Sequence, residues 1–239
     1  MNETPRPEIA ALGSSTLCEA FQITAAQRPG QVALRTLGGA TEITYAGFLA
    51  QVRGLAEGLH SLGVGRGDTV ALMLTNRPEF SLADTAVMHL GATAFSVYNS
   101  SSAEQAQHVF RNAGNRTVVA ERQFLPRVLE SRTPEIEHIV LVDGAEDGTI
   151  TLQDLAQRRV PGFDFDGAWR AVQPDDVVTL IYTSGTTGPS KAVQLTHGSV
   201  LFQTRGVAAI LGLQADGRSV SYLPSAHVGD RCLTHYGAS

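Results

Sequence analysis

Cysteine is scarce: Cys18 and Cys232 are the two in 239 residues. They are too few and too distant for a disulfide framework or a thiolate metal cluster, and are expected to be buried thiols in a reducing cytoplasm. No window is apolar over the length of a membrane span, which leaves only peripheral membrane contact open. Met1 to Gly13 carries Glu3, Pro5, Pro7 and Glu8 without a continuous apolar stretch, so it is not a secretory signal. Basic runs are missing too, and a formal net charge of −5 speaks against general nucleic-acid binding. His60, His89, His108, His138 and His235 lack metal-ligand spacing. There is no internal repeat and no low-complexity tract. What is left is an ordinary globular composition, 17% charged and long enough to bury a large core in one or two domains.

Apolar periodicity gives the order of elements. Thr16 to Arg28 reads as a helix, with Thr16 and Glu19 at capping-box spacing and Pro29-Gly30 ending it. Val32–Thr36 and Glu42–Thr44 read as strands around a Gly38-Gly39 turn. Tyr45, Phe48, Leu49, Val52, Leu55, Ala56, Leu59 and Leu62 recur at three- and four-residue steps, one apolar helical stripe destined for the core. Gly63 to Asp68 stops that helix, and Thr69–Leu74 follows as a strand.

Strand and helix then alternate. Asn76 is expected to cap a helix from Pro78 to Leu90, with Glu79 three residues after the cap. Ser101 is expected to cap Ala103–Ala113, with Glu104 at capping-box distance. Ala92–Val97, Thr117–Ala120 and His138–Val142 read as strands, and Arg122–Ser131 as a helix. Asp143–Gly148 and Arg158–Pro174 read as surface loops, the second holding Trp169 as a packing anchor. Thr196 should cap a helix from His197 to about Leu211. Val220–Tyr222 reads as a short strand, and Ser225 as the start of a last helix. The pattern predicts an α/β fold, a parallel sheet with flanking helices.

One stretch carries chemistry. The β-prone run Val177, Val178, Leu180, Ile181, Tyr182 enters Thr183-Ser184-Gly185-Thr186-Thr187-Gly188-Pro189-Ser190-Lys191. Glycines let backbone N–H groups approach an anion, hydroxyls donate further hydrogen bonds, and the lysine adds a positive charge on a long stem. Such a loop suits polyphosphate. It is not a Walker A loop, in which lysine directly follows glycine and a metal-binding hydroxyl directly follows lysine. Here Pro189 and Ser190 separate Gly188 from Lys191, and Ala192 comes next. A P-loop phosphotransferase is excluded on that spacing.

The run from Tyr182 to Gly188, then Lys191, then Leu195-Thr196-His197, resembles the signature of the AMP-forming adenylate enzymes: acyl-CoA ligases, luciferases and peptide-synthetase adenylation domains. Leu223-Pro224-Ser225-Ala226-His227 resembles the Leu-Pro-x-x-His segment of long-chain fatty acyl-CoA synthetases. Val97-Tyr98-Asn99-Ser100-Ser101-Ser102 resembles a Tyr-Asn-Thr-Ser stretch of the same subgroup. Thr44-Tyr45, Gly67-Asp68 and Asn76-Arg77-Pro78-Glu79 fall in matching order, so the resemblance covers most of the chain. It implies the distorted, layered parallel and mixed sheets of that family's large N-terminal domain, with residues 1–15 as a tail and 16–239 as part of the domain. Family members are longer, so the chain is expected to be an N-terminal portion, with a separately encoded C-terminal half as one source of the rest.

The resemblance also implies a reaction. A fatty carboxylate attacks the α-phosphate of ATP, pyrophosphate leaves, and coenzyme A then displaces AMP. On that reading Thr183, Ser184, Thr186, Thr187 and the N–H groups of Gly185 and Gly188 hold the phosphates. Lys191 and Thr186 are the catalytic candidates, Ser184 a candidate Mg²⁺ contact, and His227 a residue near the acyl carboxylate. His197 is expected to pack or cap, and Asp230 and Arg231 to pair with each other or with an absent segment. The family usually has proline at position 190 and glycine at 192; Ser190 loosens the loop, and Ala192 is costly if that backbone needs φ > 0. These departures keep a second reading open, a non-catalytic remnant or scaffold that binds a partner or an acyl group.

Overall fold

The computed structural model describes residues 9–183, 189–211 and 217–236. Helix α1 (Leu17–Gln27) starts at Thr16, whose side chain accepts the Glu19 N–H, while Glu19 accepts from Ser15 N–H. Strands β1 (Val32–Arg35) and β2 (Glu42–Thr44) form an antiparallel ribbon, and Gly38 and Gly39 supply the turn at φ +81° and +74°. Helix α2 (Tyr45–Ser61) follows, capped by Thr44, and its apolar stripe is core. Of the eight stripe residues, Leu49 alone stays partly exposed.

Then come β3 (Thr69–Met73), α3 (Pro78–His89), β4 (Thr93–Ser96), α4 (Ala103–Ala113), β5 (Thr117–Ala120), α5 (Leu125–Glu130) and β6 (His138–Leu141). Next are β7 (Ile150–Thr151), α6 (Leu152–Gln157), α7 (Phe165–Arg170), β8 (Val177–Thr183), β9 (Lys191–Thr196) and α8 (His197–Leu211). A three-residue helix, Val228–Asp230, and a π-turn, Arg231–His235, close the described chain.

Among the described residues the main sheet has seven strands in the order β7-β6-β5-β3-β4-β8-β9. Every pairing is parallel except that of β8 with β9. The expected α/β class is therefore observed as a mixed, mostly parallel sheet with helices on both faces. The pleat explains how both faces are used. Val70 and Leu72 of β3 face one core with Leu55, Leu59 and Phe80. Ala71 and Met73 face the opposite core with Phe110, Val128 and Tyr182. A third cluster joins Cys18, Met88, Val178, Leu201, Cys232 and Tyr236. Both cysteines are free and buried, as expected.

Several local expectations need correction. Arg77, not Asn76, is the N-cap of α3, because Pro78 takes the first helical turn and the Asn76 amide is turned elsewhere. Ser102, not Ser101, caps α4, and its capping box closes with Gln105 rather than Glu104. The expected loop 158–174 contains α7, capped by Asp164, with Trp169 on it. Arg122–Ser131 splits into a 3₁₀ turn and α5. Residues 220–222 form no strand, and the last helix starts after His227 rather than at Ser225. Strands β7 and β9 and helix α6 fall in segments that periodicity left unassigned.

Helix α6 lies against α2 where α2 has no side chains. A Cβ on Gly58 would overlap the Leu155 carbonyl, and one on Gly54 would come within 3.0 Å of the Ala156 carbonyl. These glycines serve close approach, not a turn.

Candidate functional site

Strands β8 and β9 present the glycine- and hydroxyl-rich loop as the tip of a hairpin. Thr183 pairs with Lys191 and Tyr182 with Ala192, so the two feet of the loop face each other on the ladder. The five candidates between them, Ser184 to Gly188, lie outside the described residues. Thr183 and Lys191 are both exposed. Lys191 is the only lysine in the sequence, and its ammonium stands at the loop's foot. Ala192 is extended strand, and no described non-glycine residue has positive φ. The feared backbone cost at position 192 is absent.

Helix α4 reaches the hairpin from the sheet face it covers. His108 Nε2 lies 2.9 Å from the Ser190 carbonyl, and the Tyr182 hydroxyl donates to Asn112 Oδ1 at 2.9 Å. Desolvation pushes the Tyr182 phenol up to about 12, so it remains a donor at neutral pH. An open cavity of about 830 Å³ runs beneath, lined among others by Arg66, His108, Asn112, Lys191 and Gln194. Arg66 is spoken for by Asp176 at 2.8 Å.

Residues 221–236 fold back as an arm across the carboxyl end of the sheet. Asn76, just beyond β3, donates to Ser221 Oγ and the Leu223 carbonyl at 2.7 Å each, and accepts from Ser225 Oγ. Neighbouring β3 are β4 on one side and β5 on the other. Such a reversal of strand order is where open α/β sheets leave a ligand crevice. His227 is exposed there, and its Nδ1 accepts the Gly229 N–H, capping the short helix.

Arg231 overturns its expected pairing. It is fully buried and ion-paired to Asp84 of α3, with further hydrogen bonds to Ser96 Oγ at 2.6 Å and the Ala94 carbonyl. His235 Nε2 sits 2.8 Å from the other Asp84 oxygen. Burial raises the Asp84 carboxyl, but Arg231 and then His235 outweigh it and hold it below its ordinary value. Asp230 instead accepts from Ser221 Oγ.

The AMP-binding enzyme model matches residues 21–238. The chain belongs to this AMP-binding enzyme family. An uncharacterized Mycobacterium tuberculosis protein is 52% identical over 145 residues, 61% of this chain and 78% of the relative. The long-chain-fatty-acid–CoA ligase FadD15 of Mycobacterium bovis is 31% identical over 199 residues, 81% of this chain but 33% of that enzyme. Among solved structures, Bacillus subtilis O-succinylbenzoate coenzyme A synthetase in complex with AMP aligns with a TM-score of 0.72 at 26% identity. That alignment covers 91% of this chain and 52% of the synthetase. The chain thus spans about a third of the acyl-CoA ligase it matches and about half of the synthetase.

Within the family frame, the structure places Thr183 and Lys191 together on the hairpin and His227 in the middle of the arm, at the start of its short helix. Sequence reasoning gave no role to His108 or Asn112, read Asn76 only as a helix cap and part of the resemblance, and missed Asp84. The first two are four residues apart on one helix and so share a face, a signal that a search for metal spacing ignored. The partners of Asn76 and Asp84 lie 145 to 151 positions away, beyond any local pattern. His197 is buried as expected, its Nδ1 accepting the Leu17 N–H. Among the described residues no His, Cys, Asp and Glu cluster could hold a metal, and no helix is long and apolar enough to cross a membrane.

Proposed function

We propose that the chain is the N-terminal, phosphate-binding portion of an ATP-dependent acyl-CoA ligase acting on long-chain fatty acids. The observation that carries it is the hairpin loop ending at Lys191, in a chain of the AMP-binding enzyme family. The AMP held by the synthetase at 26% identity supports a nucleotide there, and FadD15 supports the fatty acid.

A carboxylate attacking a phosphate brings two anions together, so positioning and charge neutralisation matter most. In this reading Thr183, Ser184, Thr186, Thr187 and the N–H groups of Gly185 and Gly188 hold the β- and γ-phosphates. Lys191 counters the charge of the departing pyrophosphate, and its exposure leaves the ammonium free to reach it. His227 stands for the carboxylate end, with coenzyme A as the second-step substrate. The oxygen-only donors of the loop suit Mg²⁺, with Ser184 as the candidate contact. When bound, Mg²⁺ neutralises phosphate charge. A cytoplasmic site of action fits the free thiols.

The apolar side chains Phe202, Ile210 and Leu211 of α8, Tyr222 of the arm and Val220 just before it stand exposed. In this reading the remainder of a longer ligase covers them, from the same or a separate polypeptide. They equally suit the second reading, a non-catalytic scaffold that binds a partner or acyl group.

Calorimetry with MgATP tests the nucleotide reading, and pyrophosphate release with ATP, Mg²⁺ and palmitate tests the reaction. Uptake of MgATP is expected from the folded chain, with turnover once a C-terminal portion is supplied in trans. No uptake in either setting sinks the proposal. Uptake without turnover in trans favours the scaffold.

A further inference from the structure

We propose that His108 and Asn112 of α4 are positioning residues that clamp both feet of the phosphate-binding loop. The proposal rests on the nucleotide reading of that loop. Tyr182 is the residue before Thr183 on one foot, and Ser190 the residue before Lys191 on the other. Asn112 holds the first through the Tyr182 hydroxyl at 2.9 Å, and His108 holds the second through the Ser190 carbonyl at 2.9 Å. One helical turn separates the two gripping side chains, which matches one pair of adjacent strands.

The hairpin needs such a grip. Among the described residues strand β9 is the sheet edge, bonded on one side only, to β8, and the Thr183–Lys191 rung is the last described before the loop. Ser190 has no ring to fix its φ, so its conformation depends on what holds its carbonyl. Helix α4 is a firm anchor: a capping box closes its N-terminus, Gly114 at φ +66° ends it, and Ala106, Val109 and Phe110 are buried. Tyr182 is itself buried, and its hydroxyl also reaches the Val109 carbonyl at 3.4 Å. A carbonyl oxygen only accepts, so at Ser190 the His108 Nε2 is the donor. The clamp therefore acts on where the Lys191 ammonium and the Thr183 hydroxyl stand before nucleotide arrives. Neither His108 nor Asn112 is required to touch the phosphates.

The test uses the whole chain with His108→Ala, His108→Gln and Tyr182→Phe, and MgATP as the probe. Three readouts are taken: amide hydrogen exchange of residues 189–196 without nucleotide, the MgATP dissociation constant, and the urea midpoint. As the only lysine, Lys191 also gives a single ε-amine acylation rate in each variant. Loss of one hydrogen bond should speed exchange in that segment and weaken MgATP by roughly three- to tenfold. His108→Ala should lower the urea midpoint by no more than one hydrogen bond accounts for, and His108→Gln, which keeps a donor, should restore exchange and affinity. Tyr182→Phe should reproduce the effect at the other foot.

Unchanged exchange and affinity in His108→Ala, with wild type binding MgATP, overturn the clamp alone. Faster exchange and a lower urea midpoint with unchanged MgATP affinity overturn it as well, since the contact is then merely structural. Wild type that ignores MgATP overturns the nucleotide reading and the positioning role together.

Discussion

Strands β3, β4 and β5 are sealed on both faces, while the edge strand β9 leaves Lys191, Val193 and Gln194 open to solvent. The centre is held by apolar area, at roughly 25 cal/mol per Å² removed from water. The edge is held by a few polar contacts, each contributing about 0.5–1.5 kcal/mol net. The chain thus separates the part that makes it fold from the part proposed to hold nucleotide. The arm at 221–236 is intermediate: its apolar tips are exposed, yet it is pinned by the buried Arg231–Asp84 pair and by the hydrogen bonds of Asn76.

The sharpest way to break this contrast is Asp84→Asn. It leaves Arg231 charged and unpaired in the interior, and such losses cost about 3–5 kcal/mol. Urea unfolding should show that drop, with faster proteolysis of residues 217–236; a change below about 1 kcal/mol, within the usual range for an exposed ion pair, would mean the pair is open to water.

Acid should weaken the sealed side next. Burial lowers His89 and His197 from an ordinary 6.5 to about 4. His89 Nδ1 is 2.7 Å from the Thr85 carbonyl and Nε2 3.0 Å from Gln22, an arrangement made for the neutral ring. Between pH 6.5 and 4 the unfolded chain binds the extra protons, so stability is full above this window and falls as pH drops through it. By linkage the loss at pH 5 is about 2 kcal/mol per histidine. A His89→Gln variant should lose one share of that pH dependence in urea melts at pH 7 and 5; an unchanged slope would refute it.

Gly58→Ala forces a methyl group into the Leu155 carbonyl, and overpacking of this kind costs about 1–3 kcal/mol. A thermal melt checks it, and no change would mean that α6 slides freely on α2. Smallest for stability is Lys191→Ala at the open edge, expected within about 0.5 kcal/mol. The same change should weaken MgATP by about 1.5–3 kcal/mol, the worth of a hydrogen bond to a charged group, read by calorimetry. A variant that melts lower but binds normally would reverse the division between edge and core.

Much of the fold was legible because its signals are local. The α2 stripe, the strand–helix alternation and the Thr16 cap each depend on residues within one or two turns of each other. Short elements were missed for the same reason: β7 has two residues and α6 and α7 six each, too few for a period to emerge. Strand β9 hid behind its polar side chains, since an edge strand has little apolar face to show. The misplaced caps at Asn76 and Ser101 came from choosing between adjacent capping residues, which spacing alone does not separate.

The candidate site divides in the same way. The order of hydroxyls, glycines and Lys191 is chemistry written in consecutive residues, so the sequence by itself determined the loop's composition and the proposal that it holds polyphosphate. The sequence also set the α/β class, through periodicities that each element carries alone. Only the tertiary structure decided that His108 meets Ser190 across 82 positions and that Asp84 meets Arg231 across 147. Those pairings depend on which strands lie side by side in the sheet. That order is settled by the joint burial of both sheet faces, a sum over the whole chain that no single window contains.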